Sequence, residues 1–185
     1  MKILYFTKYT RKGASSRLRS FQYFPFLESQ GNHVTVKPLF DDGYLEKLYK
    51  GKKDIAGSLK GYLKRFLLFF TVFRYDKVLI EKELFPYFPA FFERALALFG
   101  VKYVVDYDDA IFHNYDLHPN PVIRFLLKSK IDVVMEKSGT VIAGNSYLAE
   151  RAQKAGAKNI VIIPTVIDTS RYQMKQFTDS KPFVI

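Results

Sequence analysis

Asp106-Tyr107-Asp108-Asp109-Ala110-Ile111-Phe112-His113 places three carboxylates within four residues, directly after the apolar run Tyr103-Val104-Val105. Like charges crowded together raise one another's free energy, so a use for them is expected. They could orient a sugar hydroxyl, hold a divalent ion, or serve as acid or base. The competing reading is a set of helix caps and solvated charges. Asp108 and Asp109 are the catalytic candidates. His113, Asp116 and His118 follow closely, but their spacing fits no standard zinc pattern. They read as surface loop residues, and no metal site is expected.

A second stretch, Lys12-Gly13-Ala14-Ser15-Ser16-Arg17-Leu18-Arg19, follows the chain's first apolar run. A glycine and small residues at a helix start expose backbone N–H groups to an anion. Arg17 and Arg19 could add charge-assisted bonds to a phosphate. A plain strand-to-helix turn with surface arginines explains the stretch equally well, since it is neither a dinucleotide fingerprint nor a P-loop. The candidates for phosphate or substrate binding are Gly13, Ala14, Ser15 and Arg17. Asn145 and Ser146, at the end of a later apolar run, join them.

The third stretch is basic and aromatic. The net charge of +11 is concentrated in residues 1–27 and 44–75, each contributing +6, on a nearly neutral remainder. Such patches attract phosphates, anionic lipid or nucleic acid. Leu59–Phe73 sets Lys60, Lys64 and Arg65 beside Tyr62, Phe66, Phe69, Phe70 and Phe73. Cations beside rings suit the headgroup zone of an anionic membrane. Apolar residues all round a helix also mean burial, and periodicity alone favours that. Residues 44–75 are nevertheless expected to form a helical excursion that rests on an anionic membrane through Lys60, Lys64, Arg65 and Phe69.

The elements that must hold these residues alternate strand and helix. Strands are expected over 2–7, 33–39, 77–80, 102–106, 140–143 and 159–163. Helices are expected over about 16–30, 59–73, 86–99, 121–137 and 146–156, with Asp41-Asp42-Gly43 a turn. Short apolar strands with intervening helices imply a parallel sheet covered on both faces, an α/β Rossmann-like doubly wound domain. Ligands then meet the carboxyl ends of the strands, at loops 8–16, 81–86, 106–119, 144–147 and 164–170. With 185 residues and 48% of them hydrophobic, the chain can bury one such core and is not disordered. The absence of cysteine excludes disulfides and thiolate metal sites. No secretory signal is read at the start, and the run 66–73 is too short to span a bilayer.

Arg17–Val34 resembles the first-helix segment of bacterial group 1 (family 4) retaining GT-B glycosyltransferases. Tyr103–Phe112 resembles their fourth-strand acidic motif, and Val141–Glu150 their strand ending in an Asn/Ser pair. Ile163–Asp168 with Arg171-Tyr172 is similar to the segment leading out of the first domain. The matches cover nearly the whole chain outside 41–75. Asp108 stands where many relatives carry histidine, and Thr165-Val166 where many carry Asn-Gly. The resemblance implies that residues 1–170 are the N-terminal, acceptor-side domain with a helical insert at 41–75. Residues 171–185 would be a linker and the first strand of a C-terminal donor-binding domain, so the chain reads as a fragment.

The implied activity is transfer of a sugar from a nucleotide-sugar donor to a glycan or lipid-linked glycan of a surface polysaccharide pathway, with retention. The donor is a substrate, and no cofactor is expected. The expected location is the cytoplasm, peripheral at the inner face of the cell membrane. Two rivals are weighed. Asp106-Tyr107-Asp108 resembles the DxD motif of haloacid-dehalogenase-type phosphatases, but it ends the fourth strand and is followed by Asp109. A basic nucleic-acid-binding domain rests on charge alone, so no nucleic acid partner is expected.

Overall fold

The computed structural model describes residues 1–169. The domain boundary expected at 171, the Arg171-Tyr172 match and the strand expected near residue 185 lie outside the described residues.

Six apolar, largely β-branched segments form the strands β1 (Lys2–Phe6), β2 (His33–Val36), β3 (Lys77–Glu81), β4 (Val104–Tyr107), β5 (Thr140–Ala143) and β6 (Ile160–Ile162). All neighbours pair in parallel, in the order β2-β1-β3-β4-β5-β6. The register aligns Leu4 with Val78, Ile80 with Val105, and Val105 with Val141 on one face. That face is fully buried, as parallel sheets with helical crossovers require. Winding reverses between β1 and β3, since β2 lies on one side of β1 and the later strands on the other.

The single helix expected over 16–30 is broken. A short α1 (Ala14–Ser16) passes into a π-helical segment (Arg17–Phe21), and α2 (Phe24–Ser29) restarts with Pro25 in its first turn. Proline lacks the N–H that a continuous helix needs, so the restart falls there. Tyr5 packs edge-on against Phe24, which seats α2 on the second face of the sheet.

Residues 41–75 are not an excursion. Asp41, expected in a turn, caps α3 (Asp42–Tyr49) by accepting from the Tyr44 N–H. Asp54 caps α4 (Ile55–Phe69), which a 3₁₀ turn (Val72–Arg74) follows. These helices make the crossover from β2 to β3; α4 sends Phe69, and the 3₁₀ turn Val72, into the main core. A Cβ on Gly61 would lie 2.3 Å from the Leu39 carbonyl oxygen, so only glycine allows this close approach.

The remaining helices are α5 (Phe91–Leu98), α6 (His113–Asp116), α7 (Pro121–Leu127), α8 (Lys130–Lys137) and α9 (Ser146–Lys154). Pro86 and Pro89 and the positive φ of 57° at Tyr87 delay α5 beyond the expected start. The helix expected over 121–137 divides at residues 128–129, and Asn120 caps its first part. No helix among the described residues is long and apolar enough to cross a membrane.

Candidate functional site

The β1–β3 reversal gathers the carboxyl ends of β1, β3 and β4 around one charged cluster. From β1's loop come Lys8, Ser15 and Ser16; from β3, Glu81 and Lys82; from β4, Asp106, Asp108 and Asp109. Open parallel sheets hold their ligands at such a reversal.

Lys82 is the centre. Its Nζ lies 2.9 Å from Asp108 Oδ1 and 2.8 Å from Asp109 Oδ2. Its backbone is left-handed, with φ 67°, and the Glu83 N–H donates to the Glu81 carbonyl across it at 2.8 Å. A non-glycine residue in that region costs about 1 kcal/mol, which the surrounding bonds must offset. The turn aims the side chain back across β4. The ammonium thus sits between the two carboxylates and offsets their mutual repulsion. Among the described residues, no group of three or more acidic or histidine side chains is arranged to hold a metal.

Ser15 Oγ donates to Asp108 Oδ2 at 2.6 Å, and Ser16 Oγ to Glu81 Oε2 at 2.7 Å. The Lys8 N–H also donates to Glu81, at 3.1 Å. Burial alone would raise the Asp108 carboxyl, but Lys82 and the Ser15 hydroxyl hold it below the ordinary range. Burial does raise Glu81, against the opposing bonds from Ser16 and Lys8. Asp108 is therefore an ionised acceptor at neutral pH. Asp109, with its side chain 70% exposed, offers its carboxylate to solvent.

Asp106 is committed elsewhere. Arg19 binds it through two nitrogens, Nε at 3.0 Å and Nη2, and donates from Nη1 to the Ile163 carbonyl at 2.6 Å. Burial raises the Asp106 carboxyl, and Arg19 opposes the shift. A cleft of about 240 Å³, lined by Tyr5, Tyr23, Leu27, Leu79 and Ile142, shares Glu81 and Asp106 with the cluster.

The expected residues divide on this geometry. Asp108, Asp109 and Ser15 come together. Gly13 lies just before them, but its small size serves packing: a Cβ there would be 2.5 Å from Tyr9 Cβ. Ala14 is exposed beside it. Arg17 is exposed and reaches only the Lys12 carbonyl, at 3.5 Å, so it is not part of the cluster. Arg19, also read as a phosphate ligand, is held by Asp106. Asn145 caps α9 through the Leu148 N–H at 3.0 Å. With exposed Ser146 it borders the site through Gly144, whose N–H donates to the Tyr107 carbonyl at 2.8 Å. His113 bonds Asp116 and Tyr147, each at 2.8 Å, away from Lys82.

Two membrane candidates are wrongly oriented. Arg65 is 2% exposed and donates to the carbonyls of Thr7 (2.6 Å), Lys37 (2.9 Å) and Leu84 (3.3 Å). Phe69 is buried in the core. Both lie on the face of α4 that packs on the sheet, so neither meets lipid; Lys60 and Lys64 are exposed.

Glu81 and Lys82 were missed as individual residues, although loop 81–86 was marked. The usable signal is Glu81-Lys82-Glu83 directly after an apolar strand, three charges where a parallel sheet presents ligand loops. No protein-family model matches this chain, and no curated protein matches it.

Proposed function

We propose that this domain is the acceptor-side wall of a retaining GT-B glycosyltransferase that uses a nucleotide-sugar donor. The observation that carries the reading is the convergence of Lys82, Asp108, Asp109 and Ser15 at the β1–β3 reversal. The order of sequence motifs that resemble group 1 transferases supports it. In this reading the exposed Asp109 carboxylate accepts a hydrogen bond from an acceptor hydroxyl. Asp108, kept ionised by Lys82, accepts from the acceptor or from the transferred sugar and does not act as an acid. A second Rossmann-like domain grips the donor, and the Gly13–Ser15 turn faces its phosphates across the cleft. The acceptor is a glycan or lipid-linked glycan, met at the cytoplasmic face of the membrane.

A phosphatase reading has less support, because the first carboxylate of Asp106-Tyr107-Asp108 is tied to Arg19. The test is sugar-nucleotide turnover by residues 1–185 and by the complete gene product. The reading expects turnover only when a donor domain is present. Robust turnover by residues 1–185 alone contradicts the two-domain scheme. A complete product inert with every nucleotide sugar contradicts transfer itself.

A further inference from the structure

The outward face formed by α4, the Val72–Arg74 turn and the adjoining ends of α5 and α7 is apolar or cationic. At about 100° per residue, Ile55, Leu59, Leu63, Phe66 and Leu67 of α4 and its C-cap residue Phe70 fall in a stripe roughly 120° wide. All six are exposed, Leu59 by 71%, Leu67 by 61% and Phe70 by 60%. This stripe is turned away from the buried Arg65 and Phe69. The apolar surface continues onto α5, since Phe66 lies edge-on to Phe92 at 6.0 Å. It also reaches Phe99 through Phe73, at 5.9 Å. Phe91 and Arg94 of α5 share a shallow pocket with Leu126 of α7, which extends the face further.

Its charge has one sign. Lys60 and Lys64 border the α4 stripe, and Arg74, Arg94 and Arg124 are exposed on the neighbouring elements. The only acid within α4, the Val72–Arg74 turn, α5 and α7 is Glu93, which is buried and accepts from the Leu84 N–H at 2.9 Å. Apolar exposure on this scale marks an interaction site. Two copies docked through it would set cation against cation, and nucleic acid would leave the leucine stripe unpaired.

We infer that α4, with the adjoining ends of α5 and α7, docks this domain in-plane on an anionic lipid bilayer. Leu59, Leu63, Leu67 and Phe70 enter the interface while Lys60 and Lys64 meet the phosphates. The inference gives the peripheral location proposed above a defined surface. Its test needs no sugar transfer, so failure of either is distinguishable.

The chain contains no tryptophan, so Phe70→Trp provides a single fluorescent reporter. The full chain carrying it is titrated with phosphatidylcholine vesicles with and without phosphatidylglycerol. The expected result is a blue shift with anionic vesicles, quenching by brominated lipid, and weakening at high salt. Lys60→Glu with Lys64→Glu lowers partitioning at least about tenfold. Leu59→Ser with Leu67→Ser removes the shift, while the circular dichroism spectrum stays unchanged because both side chains are exposed. An emission that ignores vesicles overturns the inference. So does a blue shift that grows with protein concentration without lipid, which assigns the face to a second copy. Vesicle binding unchanged in both double variants also overturns it.

Discussion

Lys82→Met removes the one ammonium between Asp108 and Asp109 while keeping an unbranched side chain one heavy atom shorter. The Lys82 side chain is 7% exposed and that of Asp108 15%, so this half of the pair is shielded from water. Leaving one member of a buried pair alone costs about 3–5 kcal/mol. The half involving exposed Asp109 adds only about 0–1 kcal/mol. Asp108 keeps the Ser15 hydroxyl, which places the expected loss near the lower bound, about 3 kcal/mol. For a domain of this size that lowers Tm by about 6–12 °C. The pH dependence gives a second, independent reading. Asp108 is held below its ordinary value of 3.8, so its pair contributes stability above that pH and loses it as pH falls through the depressed value. The gap between wild type and Lys82→Met is therefore widest near neutrality and narrows below about pH 3.8. Urea denaturation across that range measures it. A variant within about 0.5 kcal/mol of wild type at neutral pH, or a gap that does not narrow in acid, refutes the assignment of Lys82 as the counter-ion.

Three further outcomes follow from the same geometry. Arg65→Met leaves the Lys37 and Leu84 carbonyls without the guanidinium and is expected to cost about 3 kcal/mol, while Lys64→Met stays within about 0.5 kcal/mol; equal midpoints in denaturant would show that Arg65 is not built into the core. Gly61→Ala is expected to cost about 2 kcal/mol or more by pushing α4 off the Leu39 carbonyl, and a neutral thermal shift would contradict that contact. Burial raises Glu93 above 4.5, so its contribution to stability is full below that pH and is lost as pH rises through the folded value. Glu93→Gln, which keeps an acceptor for the Leu84 N–H, should flatten the decline in stability above about pH 4.5; an unchanged slope would show that Glu93 does not drive it.

The strands were legible because each is a short apolar run ended by polar or turn residues, and all six lie within a few residues of their expected places. Loops carried less. Pro25 marks the restart of the broken helix, but the Tyr5–Phe24 contact that seats α2 on the sheet joins residues 19 apart, and no local pattern states it. Arg65 read as a surface cation because helical periodicity cannot show that three backbone carbonyls wait beneath it. The Asp108–Asp109 pair was legible as crowded charge, whereas its counter-ion was not. Lys82 reaches it only because the sheet sets β3 beside β4 and the left-handed turn points the ammonium across. Thr140–Ala143 was placed to the residue, since Gly139 and Gly144 bound it on both sides.

Asp109 gives the most direct measurement, because its exposed side chain separates chemistry from folding. The rate of sugar transfer by the complete gene product is compared with that of its Asp109→Ala variant, each with its unfolding midpoint. The account predicts a rate reduced at least about tenfold with a stability loss of no more than about 1 kcal/mol. Wild-type transfer by that variant would contradict the assignment of this cluster as the acceptor site.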